Sequence, residues 1–223
     1  VCRRTLVKQF FKSVVEQYDD IKEKGDFQLK VKHSSRVAKN AEKVAELNGL
    51  DVEFSYIIGL LHDIGRFEQT KRDLKFNQDH IFDHGDYGAE LIENSEFIKN
   101  FTKEEAYMII KAVKNHNKLA IEEGLDEKTN TYCKMIKDAD KTDILYLVSE
   151  YEYEKDEVSQ SVIDDFNRGE LVRTRNVKTR QDLLINMLSY IHDIHFEPTY
   201  DLIEESMSIL KSKCIHLDKL NKF

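Results

Sequence analysis

A chain of 223 residues with a single proline and only eight glycines holds little of what turns are made from. That scarcity favours a few long helices over many short strands, and the apolar pattern agrees. Val7, Phe10, Phe11, Val14, Tyr18 and Ile21 recur at helical spacing, which predicts a first helix over about Arg4–Lys24. A second is expected over about Gln28–Asn48, stopped by Gly49. Asp51 caps a third, which ends in His62-Asp63-Ile64-Gly65. Residues 66–83 lack a period and read as a loop. Helix is expected again over His84–Glu93, and from the capping box Thr102-Lys103-Glu104-Glu105 through about Asn117. Four more are expected, near Thr131–Tyr153, Glu157–Asn167, Arg180–His192 and Tyr200–Lys213. The only strand signal is a short pair near Glu170–Val177. The fold class is therefore all-α, a helical bundle. It is expected as one domain over 1–223, with helices of about 157–213 packing on a core of about 28–150.

Apolar residues make up 40% and charged residues 34%, an ordinary balance for a protein in water. Cys2, Cys133 and Cys214 are odd in number, far apart and form no C-x-x-C pair, which fits a reducing cytoplasm. The most apolar runs, Tyr56–Leu61 and Ile144–Val148, fall far short of the ~20 residues of a membrane span. No apolar signal core opens the chain. A cytoplasmic protein without a membrane partner is expected. The formal charge of −8 opposes a nucleic-acid partner, because phosphate backbones demand basic surface. It leaves room for a small anionic substrate drawn to a bound cation. Oligomeric state is not encoded in any of these features.

The informative residues are polar ones that fall on apolar stripes. His33 shares a face with Val37, Ala41 and Val44, and His62 and Asp63 end the most apolar helix. His116 continues Ala106, Ile109, Ile110 and Val113, while Asp140 continues Ile136. His84 lies one turn before Gly88 and two before Leu91. Burial of an unpartnered imidazole or carboxylate is costly, so each needs a partner. A single core histidine is usually satisfied by a backbone carbonyl. Six such residues on five helical segments point instead to shared cations. Four imidazoles and two carboxylates suit Mn, Fe, Co or Zn better than Ca or Mg alone, and no cysteine joins them as in a structural zinc site. Adjacent helical side chains project about 100° apart, yet at a helix end both His62 and Asp63 can bend to one centre. Asp63, with two oxygens, is the natural bridge between two metals.

In order along the chain, His33, Leu61-His62-Asp63-Ile64-Gly65 and Lys137-Asp138-Ala139-Asp140 resemble the H…HD…D signature of the HD superfamily of metal-dependent phosphohydrolases. His84, in Asp83-His84-Gly85-Asp86-Tyr87-Gly88-Ala89, and His116, in Lys114-Asn115-His116-Asn117, resemble the additional histidines of members that bind two metals. The likeness covers about residues 28–150. It implies a helical HD-domain core holding one or two divalent metals, Mn, Fe, Co, Ni, Zn or Mg. It also implies hydrolysis of phosphomonoesters, phosphodiesters or nucleotide anhydrides. His33, His62, Asp63 and Asp140 would be the common ligands, and His84 and His116 would complete a second site. Arg66 stands where the mononucleotidase branch has glutamate, and the GYP motif of cyclic-di-GMP phosphodiesterases is absent. The likeness is thus to compact single-domain members.

The expected function is attack of a metal-activated water on a phosphate ester or anhydride of a small nucleotide. Asp63 and Arg66 are the catalytic candidates, with Arg66 and Lys141 as substrate contacts. A salt bridge to Asp63 or Glu68 is the plainer role for Arg66, and pairing with Asp138 or Asp143 the plainer role for Lys141. Asp138 and Asp143 are candidates for orienting ligands. The basic segment Arg168, Arg173, Arg175, Lys178 and Arg180 reads first as a solvated face, and second as a rim for anions. His80 reads as a loop histidine, with a lid or general-acid role as the alternative. Two other functions share the ligand set: a di-iron oxygenase, and a non-catalytic, metal-stabilised signalling module.

Overall fold

The computed structural model describes residues 2–74 and 81–220, with residues 25 and 26 by backbone alone. The chain divides after Asp140 into two compact units. Helices are the only regular structure among the described residues, as the lack of turn formers predicts. No helix among them is long and apolar enough to cross a membrane.

In the first unit, α1 (Arg3–Val15) is shorter than expected. The chain tightens into a 3-10 turn over Glu16–Ile21, with Tyr18 at φ −113°. That break turns Tyr18 inward, where its ring meets Phe67 and its hydroxyl donates to Glu68 Oε2 at 3.1 Å. Next come α2 (Gly25–Asn48), closed by Gly49 in the left-handed conformation, and α3 (Val52–Leu61), capped by Asp51, whose carboxylate accepts the Phe54 N–H at 2.9 Å. The expected loop over 66–83 is corrected at its start: Arg66–Lys71 is a short helix, α4. Its inward face carries Phe67 together with the polar Gln69 and Thr70, so no apolar stripe betrays it. Phe67 is fully buried among Phe11, Tyr18 and Phe27. The helices α5 (His84–Glu93) and α6 (Lys103–Asn115) follow, the latter opened by the reciprocal Thr102–Glu105 capping box. The helix α7 (Glu127–Ser149), whose residues as far as Asp140 belong to this unit, starts a turn earlier than expected.

The second unit is built on α8 (Gln160–Asn167), α9 (Arg180–Leu188) and α10 (Thr199–Lys213). Its core includes Val162, Phe166, Leu184, Leu188, Ile203 and Leu210. The expected strand pair near Glu170–Val177 is absent, and a 3-10 turn occupies Thr174–Asn176. Backbone donors that a strand would share with a neighbour go to side chains instead. The Val172 N–H donates to Ser189 Oγ at 3.0 Å and the Arg173 N–H to Asp165 Oδ2 at 3.2 Å. Buried Asp165 also takes Arg173 Nε at 3.1 Å, Asn176 Nδ2 at 2.7 Å and the guanidinium of Arg168. Two arginines of the basic segment are therefore held by one internal carboxylate. Lys141 is buried and pairs with Asp193 at 2.6 Å, an acid that the sequence did not suggest for it.

Candidate metal centre

Close helix packing brings the residues together. A side-chain carbon at Gly59 would lie 2.8 Å from Ala38 Cα and 2.9 Å from Ala41 Cβ, so α2 and α3 touch along a seam of small residues. The approach carries His33, on α2, to His62, at the end of α3; their Nε2 atoms are 3.3 Å apart. At Gly65 an added carbon would sit 2.1 Å from the His84 carbonyl oxygen. Only glycine lets the turn after Asp63 press against the first turn of α5 and deliver His84.

All six expected residues meet here. Nε2 of His33 lies 3.1 Å from Asp140 Oδ1 and 3.5 Å from Asp63 Oδ2. His62 Nε2 lies 3.6 Å from Asp140 Oδ1 and 3.7 Å from Asp63 Oδ2. On the other side, Asp63 Oδ1 faces Nε2 of His84 at 3.2 Å and of His116 at 3.3 Å, and those two nitrogens are 3.0 Å apart. Ligand atoms of His33, His62 and Asp140 lie within 4.8 Å of one another, as do those of His62, Asp63 and His116.

The rings are oriented from behind. His62 Nδ1 sits 2.8 Å from the Gly59 carbonyl oxygen and His116 Nδ1 2.6 Å from that of Val113. A carbonyl can only accept, so each Nδ1 carries a proton and donates it, and each Nε2 is the nitrogen turned to the cluster. Behind His84, the amide of Asn117 lies 3.4 Å from Nδ1 and donates to Asp83 Oδ1 at 3.1 Å. Asp83 also caps α5, accepting the N–H groups of Gly85 and Asp86, and pairs with Lys118.

Burial works against ionisation of Asp63. Lys30 and the imidazoles of His62, His116 and His84 outweigh it and hold the carboxyl well below its usual range. Asp140 is likewise held down against burial, by His33 and His62. Burial pushes His116 down to about 4, and His84 and His62 add to this while Asp63 opposes it, so the ring is neutral at physiological pH. Neutral imidazoles and ionised carboxylates are the forms that bind divalent cations. Asp140 Oδ1 is buried and accepts no hydrogen bond among the described residues. Such an orphaned acceptor, with the Nε2 atoms of His33 and His62 converging beside it, fits a cation.

Arg66 stands at the edge of the cluster, Nε 3.4 Å from Asp63 Oδ1, with its guanidinium also bonded to Gln69. The salt bridge foreseen as its plainer role is thus formed. Lys30 was not foreseen: its ammonium donates to Asp63 Oδ2 at 2.7 Å. The signal was its spacing, since Lys30 precedes His33 by three residues and shares its helix face. Asp138 is buried on α7, two residues before Asp140, whereas His80 lies outside the described residues.

A family model for the HD domain matches residues 31–145, just over half of the chain and the stretch that carries all six residues. No curated protein and no solved structure matches the chain. With an all-α fold, that match, and histidines and aspartates gathered where metal ions could be held, the chain belongs to the HD domain family.

Proposed function

We propose that this chain is a metal-dependent phosphohydrolase that cleaves a phosphate ester or anhydride, with a small nucleotide as its preferred substrate. One observation carries the reading. The two oxygens of Asp63 face different imidazole groups, Oδ1 toward His84 and His116, Oδ2 toward His33 and His62. A carboxylate so placed could serve two cations, one on each side, with Asp140 joining His33 and His62 in holding one of them. Divalent ions bound there would polarise phosphoryl oxygens and make a water acidic enough to lose its proton near neutral pH.

The chain's own contribution is positioning and charge. The carbonyls of Gly59 and Val113 fix two ring orientations in advance, so little reorganisation is needed on binding. The guanidinium of Arg66, at the rim of Asp63, supplies a planar donor pair for phosphoryl oxygens. Lys141 receives no substrate role, because its buried ammonium is engaged by Asp193. The acidic balance of the chain supports a small phosphorylated molecule over a polymer.

The test is a panel of phosphomonoesters, phosphodiesters and nucleotides, incubated with protein loaded in turn with Mn, Fe, Co, Ni, Zn and Mg. Turnover that stops with a chelator and is missing from Asp63→Asn supports the reading. Silence across the panel, or oxygen uptake by the iron-loaded chain in its place, overturns it.

A further inference from the structure

His84 and His116 reach the cluster from different helices, and the residues that join those helices adjoin the two ligands. Asp83 precedes His84 and caps α5, its Oδ1 accepting the N–H groups of Gly85 at 2.9 Å and Asp86 at 3.0 Å. The same oxygen accepts from Asn117 Nδ2 at 3.1 Å, and Oδ2 takes the ammonium of Lys118. Asn117 and Lys118 are the residues that follow His116. A side-chain carbon at Gly85 would lie 2.4 Å from Asn117 Oδ1 and 3.0 Å from the Lys114 carbonyl oxygen, so glycine lets the start of α5 touch the end of α6. The Lys118 ammonium also reaches Asp86 at 3.1 Å, and the Lys118 carbonyl accepts from buried Lys137 Nζ at 2.6 Å. Lys137 stands on α7, three residues before Asp140.

As a stabiliser of the fold this latch is weak. The side chains of Lys118 and Asp83 are 28% and 26% exposed, and water screens an ion pair so placed. Its position matters more. Helix α5 begins at His84, so where Asp83 is held sets where that imidazole starts, and Nε2 of His84 ends 3.0 Å from Nε2 of His116. His116 itself is oriented by a carbonyl of its own helix, that of Val113. A metal tolerates displacement of its ligands by only about 0.2 Å. An outer group that orients a ligand changes metal affinity by about 10–100-fold. A contact of little consequence for the fold is therefore of large consequence for the ion beside it, and this one adjoins the two ligands that face Asp63 Oδ1.

We propose that Lys118 is a positioning residue for one of the two cation positions: latched to Asp83, it holds His84 against His116 and secures the ion on the Oδ1 side of Asp63. The ion held by His33, His62 and Asp140 is left to its own ligands. The proposal rests on the metal-dependent phosphohydrolase reading and adds to it the residue that makes the second position tight.

Calorimetric titration of the full chain with Mn tests it, beside His84→Ala, which keeps only the position of His33, His62 and Asp140. Lys118→Met retains the stem and removes the ammonium; it weakens one ion about tenfold or more and leaves the other within about twofold. In the His84→Ala chain, Lys118→Met changes the remaining ion by less than about twofold. Loss of a cation by charge alone would tighten a metal, so the sign separates positioning from electrostatics. Lys118→Arg restores most of the affinity. Asp83→Asn, still a capping residue, weakens the same ion, and the double variant binds it no more weakly than the weaker single variant, as two residues acting as a unit should. The metal-free Tm of Lys118→Met falls by no more than about 4 °C. Unchanged or tighter binding in Lys118→Met, equal weakening of both ions, additive losses in the double variant, or a larger fall in Tm overturns the proposal. If wild type still binds two ions and hydrolyses phosphoesters in any of those cases, the assignment of Lys118 alone has failed. A wild type that binds one ion also overturns it and leaves the hydrolase reading to the substrate panel, whereas one that binds no metal overturns both.

Discussion

The imidazole of His33, on the second helix, meets the carboxylate of Asp140, on the seventh, with 3.1 Å between Nε2 and Oδ1. Most of the matched family region lies between them in sequence. Their meeting closes the cluster, with Asp63 among the other five residues.

Metal binding should be visible as stability. A cation at about 100 times its Kd adds about 2.7 kcal/mol to the folded state. For a chain of this size that raises Tm by roughly 5–10 °C. Thermal melts with and without Mn should show the full rise in wild type and a clearly smaller one in His33→Ala. Equal shifts in both would mean that the ion binds elsewhere.

Gly65→Ala should damage the centre without touching a ligand. The added carbon would overlap the His84 carbonyl, so the first turn of α5 must retreat from the turn that carries Asp63. Overpacking of this kind costs about 1–3 kcal/mol. Denaturant melts measure that loss, and metal analysis should show the His84–His116 side emptied first. A variant as stable and as fully loaded as wild type would refute the packing account.

Asp165 predicts an acid limb in the stability curve. Bonds from Arg173, against the opposing effect of burial, and with help from Asn176, hold its carboxyl well below the usual range. A carboxyl depressed in the folded state stabilises the fold fully above its unfolded value of about 4, and that contribution is lost as pH falls through the folded value. Asp165→Asn should therefore cost about 2 kcal/mol near neutrality and flatten the loss below about pH 4. Circular dichroism of both chains across acid pH reads the difference. An acid limb identical in the two chains would show that Asp165 does not govern it.

Removal of Asp63 or His62 should silence hydrolysis. Lewis-acid stabilisation is worth several kcal/mol, so Asp63→Asn and His62→Ala should lose more than about a hundredfold in kcat/KM while retaining helical circular dichroism. Rates within tenfold of wild type would contradict the assignment.

The helical fold and the six clustered residues were legible because both leave periodic marks. His33, His62, His116 and Asp140 stand out as polar positions on apolar stripes, and Asp51, Gly49 and Thr102 mark helix ends through their own caps. What stayed hidden depends on contacts without a period. Lys30 looks like any helix-surface lysine until Asp63 is brought beside it. The α4 helix buries Gln69 and Thr70 where a stripe would be apolar. The turn over Thr174–Asn176 is organised by Asp165 and Ser189, which local sequence does not connect to it, and alternation there imitates a strand. The Asp193 partner of Lys141 is equally remote in sequence.

The most direct test of Asp63 as the link between two cation sites is metal stoichiometry by titration, with bound metal counted per chain. Wild type should take up two divalent ions per chain, His84→Ala one, and Asp63→Ala none with comparable affinity. Two ions still bound tightly by Asp63→Ala, or none bound by wild type, would contradict the account.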